Sequence, residues 1–352
     1  MSIDKLLQNI EEIDGSLQAI LDQRAKILLE IAKIDSGQHV PGVESDAARL
    51  ATFHERNAGP YPNESLDRIF REIFSASRAL AAQIKVAYLG PEGTYSQDAV
   101  FTHFGHSVDA VPEVSIPGIF AAVEHGRAHF GVVPVENSTE GTVNHTLDLL
   151  TDTQLRICGE VRVRIRHCLL GSDVTRASIQ AVHAHPQSLA QCRRWLDEHL
   201  PQAERVPSSS NAAAAAHVVG KPELAAIAGD TAAQTYGLRV LDSGIEDVKT
   251  NTTRFLVMGR QDLAPSGNDA TSLLLSAAHK PGGLRAMLEP FETAGVSLTR
   301  IESRPSRSGL WEYVFFVDVA GHQEDTVLAP VLEQLRMELP LMRVLGSYPS
   351  GT

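Results

Sequence analysis

Apolar residues recur at three- and four-residue spacing through the first 34 positions, among them Ile3, Leu6, Leu7, Ile10, Ile13, Leu17, Ile20, Ile27 and Ile31. That period predicts one uninterrupted helix over 3–34, about 48 Å long at a rise of 1.5 Å per residue. A stripe of this length cannot bury itself, so it predicts a bundle with later helices or with a second chain. Gly37 to Gly42 breaks the pattern. A second helix near 44–57, the turn Gly59-Pro60-Tyr61-Pro62 and a third helix from Ser65 to Gln83 complete an all-α unit over 1–83.

At Ile84 the period changes. IKVAYLG is a continuous apolar run ending in glycine, as expected of a buried strand, and similar runs recur at 130–135, 179–183 and 224–228. Helical patterns between them predict a largely parallel sheet in an α/β unit over 84–260, with ligands at the carboxyl ends of the strands. Gln261 to Asp269 reads as a linker. After it come a strand at 271–278, a helix opened by Pro281-Gly282-Gly283-Leu284, a strand near 296–302, the aromatic strand Trp311–Val319, a helix and a last strand. That βαββαβ order over 270–352 is ferredoxin-like.

Composition removes several classes of function. With 31 basic against 43 acidic residues the net charge is -12, which argues against nucleic acid as a partner. Cys158, Cys168 and Cys192 are widely spaced and form no CxxC pair, which predicts neither disulfides nor structural zinc and fits a reducing cytoplasm. His183 and His185 lie two apart but lack accompanying carboxylate or cysteine ligands, so no metal is expected. No apolar run approaches the roughly 20 residues that span a bilayer, and MSIDKLLQNIEEID is acidic and amphipathic, unlike a signal peptide.

Four polar segments fall at or after the strand runs of the α/β unit: GPEGTYS at 90–96, VENSTEG at 135–141, HAHPQSLAQC at 183–192 and NTTRF at 251–255. Together they resemble the prephenate dehydratase family, in order and spacing, across 85–260. The resemblance implies conversion of prephenate to phenylpyruvate, water and carbon dioxide without a cofactor. It makes Thr253 the essential hydroxyl, donating to the departing oxygen, with Arg254 supplying positive charge. It also places Asn137 and Gln191 in the catalytic set, and Gly93, Thr94, Ser96, Glu136, Ser138 and Thr139 around the substrate. Ala184 stands where some members carry serine. The segment SSSNAAAAA at 208–216 reads as a capped helix packed on the sheet, although the resemblance also brings Ser209, Ser210 and Asn211 near the cleft.

From Ser272 the chain resembles an ACT domain through GGL at 282–284 and ESRP at 302–305. In dehydratases such segments bind phenylalanine between paired domains, which makes Gly282, Gly283, Leu284, Glu302, Ser303, Arg304 and Pro305 the effector set and feedback inhibition the expected control. A glycine-opened helix N-terminus offers amides to a carboxylate.

The 1–83 bundle resembles a helical chorismate mutase domain, through IEEID, DQR and FREIFSASRAL. That chemistry clamps a dianion between cations. Arg24 and Ser77 are kept, but the lysine expected eleven residues after Arg24 is Asp35, the arginine expected before Asp14 is Leu7, and Ala81 replaces a Gln or Glu. The second-helix Arg-Glu pair is Ser45-Asp46 or Ala47-Ala48. The expectation is an inactive mutase fold retained for homodimerisation. The alternatives are a bifunctional enzyme using other cations, such as Arg49 or Arg78, and a non-catalytic amino-acid sensor.

Overall fold

The computed structural model of the chain describes residues 2–34, 46–173, 175–277, 280–305 and 313–350, the side chain of Ala47 excepted. Asp35, Ser45 and Trp311 lie outside the described residues. Residues up to Lys85 together with His103–Asp109 form one compact unit, and Val86–Thr102 with the chain from Ala110 onward form a second.

The first unit is helical: α1 (Ile3–Ile34), α2 (Asp46–Arg56) and α3 (Asn63–Ala81). No residue of α1 is buried, and Ile3, Ile13 and Ile20 are each more than half exposed. The periodic stripe thus forms the predicted helix but stays unspent within one chain. Helices α2 and α3 are joined through Phe53, whose ring centroid is 4.2 Å from that of Phe70 and 6.4 Å from that of Phe74.

After the helices the chain forms β1 (Lys85–Leu89), α4 (Tyr95–Phe104), β2 (Asp109–Glu113), α5 (Ile116–Glu124), β3 (Phe130–Asn137), β4 (Gly141–Thr142), α6 (Asn144–Leu150) and β5 (Arg156–Arg164). The chain then builds another α/β lobe from β6 (Cys168–Gly171), β7 (Ala181–Ala184), α7 (Pro186–Gln191), α8 (Arg193–His199), β8 (Glu204–Pro207), α9 (Asn211–Val218), β9 (Leu224–Ala228), α10 (Asp230–Tyr236) and β10 (Arg239–Ser243). It returns to the first lobe as β11 (Thr252–Gly259).

The first sheet runs β2-β1-β3-β11-β5, with β4 on β3, and the second runs β10-β6-β9-β7-β8. Neither is the largely parallel sheet that the alternation of runs predicts. β1–β3, β7–β8 and β7–β9 are parallel, but β11 is antiparallel to both β3 and β5, and β6 is antiparallel to β9 and β10. In the first sheet the returning strand β11 enters between β3 and β5, which were laid down earlier, and runs against both.

The C-terminal part is β12 (Asp269–Ser276), α11 (Gly283–Thr293), β13 (Leu298–Pro305), β14 (Tyr313–Ala320), α12 (Leu328–Glu338) and β15 (Leu341–Pro349). Its sheet order, β13-β14-β12-β15, with every neighbouring pair antiparallel, is the ferredoxin-like arrangement. One face of this sheet packs on α11 and α12 through Leu273, Met287, Phe291, Val317 and Leu335. The other face supplies Leu274, Phe316, Leu345 and Tyr348 to the core of the first lobe, beside Val133, Leu147, Ile157 and Leu256. The closest approach is at Gly346, where a Cβ would lie 2.2 Å from the carbonyl oxygen of Ile157.

Candidate active site

β3 and β11 are antiparallel with Thr253 opposite Asn137 and Arg254 opposite Glu136. Successive side chains on a strand point to opposite faces, so these two rungs divide four expected site residues between two faces. Asn137 and Thr253 turn toward the second lobe. Asn137 donates from Nδ2 to Thr253 Oγ1 at 2.8 Å and to Asn251 Oδ1 at 2.9 Å, while its Oδ1 accepts from the backbone N–H groups of Thr139 and Glu140 at 2.9 and 3.1 Å.

Gln191 reaches the same cluster from the end of α7. Its Oε1 lies 2.8 Å from His167 Nε2 and 3.4 Å from Asn251 Nδ2, and its Nε2 is buried with no hydrogen-bond partner among the described residues. His167, 1 % exposed, also meets Tyr95 Oη at 3.1 Å through Nδ1, and its backbone N–H donates to Glu246 Oε2 at 2.9 Å. Burial holds the imidazole pKa below its ordinary value despite the Gln191 contact and the Glu246 charge. Thr253, Asn137 and Gln191 are therefore within one hydrogen-bonded network, as the resemblance implies. Asn251, His167 and Tyr95 belong to it too and were not assigned from sequence. The signal for Asn251 was its place in NTTRF, two residues before the hydroxyl.

The expected substrate groups are less uniform. Gly93, with φ of +81°, donates its N–H to Gln97 Oε1 at 2.7 Å, and a Cβ there would press on Ala232 and Tyr236 of α10. Thr94 Oγ1 donates to Leu89 O at 3.1 Å, and Ser96 is buried in the first turn of α4. Ser138 and Thr139 are exposed; Ser138 Oγ accepts from Thr252 N at 3.0 Å and so completes the β3–β11 ladder. Ser210 caps α9 by accepting from Ala213 N, and Asn211 bridges Ser188 and His185 N, which is the packed, capped helix expected. Ala184 is fully buried. No group of three or more His, Cys, Asp or Glu side chains among the described residues is arranged to hold a metal ion.

Arg254 and Glu136 correct the sequence expectation. Arg254 does not face the Thr253 hydroxyl; it lies on the other face of β11, where Nε meets Glu160 Oε2 at 2.7 Å, Nη1 meets Asp318 Oδ2 at 2.8 Å and Nη2 donates to Tyr348 Oη at 3.1 Å. Burial opposes its charge, but Asp318, Tyr348 and Glu160 outweigh that and raise its pKa. Glu136 is paired with Arg300 at 3.1 Å. The reason is strand alternation: neighbours of cleft residues must point away from the cleft. Arg304, expected at the effector, is paired with Asp148 of α6. Gly282, with φ of +82°, precedes α11, Gly283 is buried and Leu284 is exposed. Glu302, Ser303, Arg304 and Pro305 alternate along β13, an edge strand.

In the helical unit Leu7 is exposed, Ala81 ends α3, and Arg24 donates to Ser77 Oγ. Arg24 and Arg49 stand 5.2 and 5.8 Å from the Phe74 ring centroid, and the buried Arg78 pairs with Asp46. Burial, then the Arg49 charge, lowers the Arg24 pKa.

Two α/β lobes meeting at an amide-held hydroxyl, with a ferredoxin-like module packed on the reverse of the catalytic sheet, define a regulated two-lobed α/β enzyme. The prephenate dehydratase family matches residues 86–263, the ACT domain 271–336 and chorismate mutase type II 6–82. The chain is 48% identical to the bifunctional chorismate mutase/prephenate dehydratase of Stutzerimonas stutzeri over 350 residues, covering 97% of this chain and 96% of that one. Among solved structures, prephenate dehydratase of Arthrobacter aurescens in complex with L-Phe is 36% identical with a TM-score of 0.69, over 76% of this chain and 90% of that one. GqqA, described as a novel type of quorum quenching acylase, is 34% identical with a TM-score of 0.70, over 76% and 98%. The chain belongs to the bifunctional chorismate mutase/prephenate dehydratase family.

Proposed function

We propose that this chain is a prephenate dehydratase, inhibited by phenylalanine, whose N-terminal bundle assembles two chains and no longer rearranges chorismate. The observation that carries the first part is the Asn137–Thr253 contact. Because Asn137 Nδ2 is a donor, Thr253 Oγ1 accepts there, and its own hydrogen is left for a partner in the cleft. Prephenate needs one such donor. Loss of its ring hydroxyl together with the ring carboxylate, as carbon dioxide, yields an aromatic ring, so the side chain has to stabilise a departing oxygen. A threonine hydroxyl is too weak an acid for efficient proton transfer near neutrality, which makes hydrogen bonding to the leaving oxygen its contribution. The unpartnered Gln191 Nε2 is a second donor for a substrate oxygen.

The same contact disfavours an acyl-transfer nucleophile at Thr253, which would need a base accepting its proton where Asn137 presents N–H. Phenylalanine inhibition is supported by the ACT match and by the relative solved with L-Phe. The working assignment of parts is 1–83 for the bundle, 84–260 for the dehydratase and 270–352 for the effector module. No described helix is long and apolar enough to cross a membrane, and a cytoplasmic homodimer is the proposed setting. The test supplies purified protein with prephenate and, separately, chorismate, and follows phenylpyruvate with and without phenylalanine. Turnover of prephenate that phenylalanine suppresses is expected; absence of prephenate turnover overturns the reading.

A further inference from the structure

Asn137 has no hydrogen-bonding capacity left for a substrate. Its amide oxygen takes two backbone N–H groups, which can only donate and therefore fix which end of the amide is oxygen; its two amide hydrogens go to Thr253 Oγ1 and Asn251 Oδ1. Asn251 is 3 % exposed, and its own backbone is anchored by Ile165 N donating to Asn251 O at 2.8 Å. Its side-chain oxygen thus stands at a fixed place beside Asn137, and its Nδ2 turns toward Gln191 Oε1 at the longer distance of 3.4 Å. With the Asn251 acceptor removed, one Asn137 hydrogen loses its partner, and the amide that presents N–H to Thr253 is held at its nitrogen end by the Thr253 contact alone.

We propose that Asn251 is a positioning residue for the Thr253 hydroxyl, acting through Asn137. The inference rests on the dehydratase reading and deepens it. Asn251 completes the hold on the amide at its nitrogen end, the amide takes one lone pair of Oγ1, and the hydroxyl hydrogen is thereby directed to the leaving oxygen.

A double-mutant cycle on prephenate turnover tests this. Asn251→Ala is expected to lower kcat by about tenfold or more, with KM changed by less than about threefold. Asn137→Ala is expected to lower kcat at least as far, and the double variant to be no slower than Asn137→Ala within about twofold, since the second change removes a support already without function. Asn251→Asp keeps an acceptor for Asn137, so its kcat is expected above that of Asn251→Ala, with a raised KM because it adds negative charge beside a dianion. Melting curves of each variant accompany the kinetics. Losses that multiply in the double variant, a KM effect without a kcat effect, or equal kcat in Asn251→Ala and Asn251→Asp would overturn the proposal. Wild-type protein inactive on prephenate overturns the dehydratase reading and this inference together, whereas active wild type with multiplying losses overturns this inference alone.

Discussion

Thr253 and Arg254 are consecutive in β11 and serve opposite faces of the same sheet: the threonine hydroxyl bonds Asn137 at 2.8 Å toward the second lobe, and the arginine binds Asp318 at 2.8 Å in the effector module. One rung over, Asn137 and Glu136 repeat the division, with Glu136 on Arg300. The residue that bears the Asn137-bound hydroxyl and the residue that binds the ACT-domain sheet are thus joined by one peptide bond.

Removing the hydroxyl should stop turnover without unfolding the protein. Thr253→Ala is expected to retain less than about a tenth of the wild-type rate, a loss of more than about 1.4 kcal/mol of transition-state stabilisation. Thr253→Ser keeps the donor and should exceed it in steady-state assays. A fast alanine variant would remove Thr253 from the chemistry.

Arg254 predicts a different phenotype from its neighbour. Arg254→Ala leaves Asp318 buried without its cation and Glu160 with only Arg162, and breaking a buried pair on one side costs about 3 kcal/mol. Denaturant unfolding should show that loss. Asp318→Asn, which keeps shape but weakens the link, is expected to reduce inhibition by phenylalanine more than its calorimetric affinity. Unchanged inhibition would separate this contact from regulation.

Gly346→Ala tests the seam between β15 and β5. An added Cβ would sit 2.2 Å from Ile157 O, which is backbone and cannot swing aside. The strands must part, at a cost of about 1–3 kcal/mol by analogy with overpacked cores. A melting temperature equal to wild type would show that the seam yields without strain.

Histidines with depressed pKa values set an acid limit. His103 is pushed down to about 3, first by burial and then by the Arg71 and Arg78 charges, and His167 is lowered by burial. A depressed histidine pKa means that the unfolded chain takes up protons below about pH 6.5 while the folded chain does not, so stability present above that pH is lost progressively as pH falls toward 3. Melting temperatures should drop across that window, and His103→Gln should flatten the slope. An unchanged slope would assign the acid sensitivity to other groups.

For the helical unit the expected result is no chorismate consumption. Arg24 keeps its contact with Ser77, but Arg78 is neutralised by Asp46, Leu7 is apolar, and Ala81 offers no amide or carboxyl group. Deleting residues 1–83 should weaken self-association in sedimentation experiments, because the apolar stripe of α1 is uncovered in one chain. Robust conversion of chorismate by the intact protein would restore the bifunctional reading.

Periodicity was enough to locate α1, whose 32 residues repeat one pattern, and the βαββαβ order of the C-terminal part. It could not reveal β11 between β3 and β5, since pairing partners so far apart in sequence, from Thr252 and Arg164 to Met258 and Gly131, leave no local trace. The motif resemblance brought Thr253, Asn137 and Gln191 to one cluster. It failed for Arg254 and Glu136 because a contiguous motif says nothing of the two faces of a strand, and for His167 because a buried histidine within the run IRHCLL has no periodic signature.

The place of β11 also orders events during synthesis. Among the described residues β5 is joined to its sheet only through β11, so residues 156–164 await that strand partner until Thr252–Gly259 has left the ribosome, by which time the whole second lobe has been made. The second lobe is therefore free to fold first, as an insertion within an unfinished one. Slow codons or chaperone capture after residue 259, rather than between the lobes, would be the point at which the first sheet closes or fails to close.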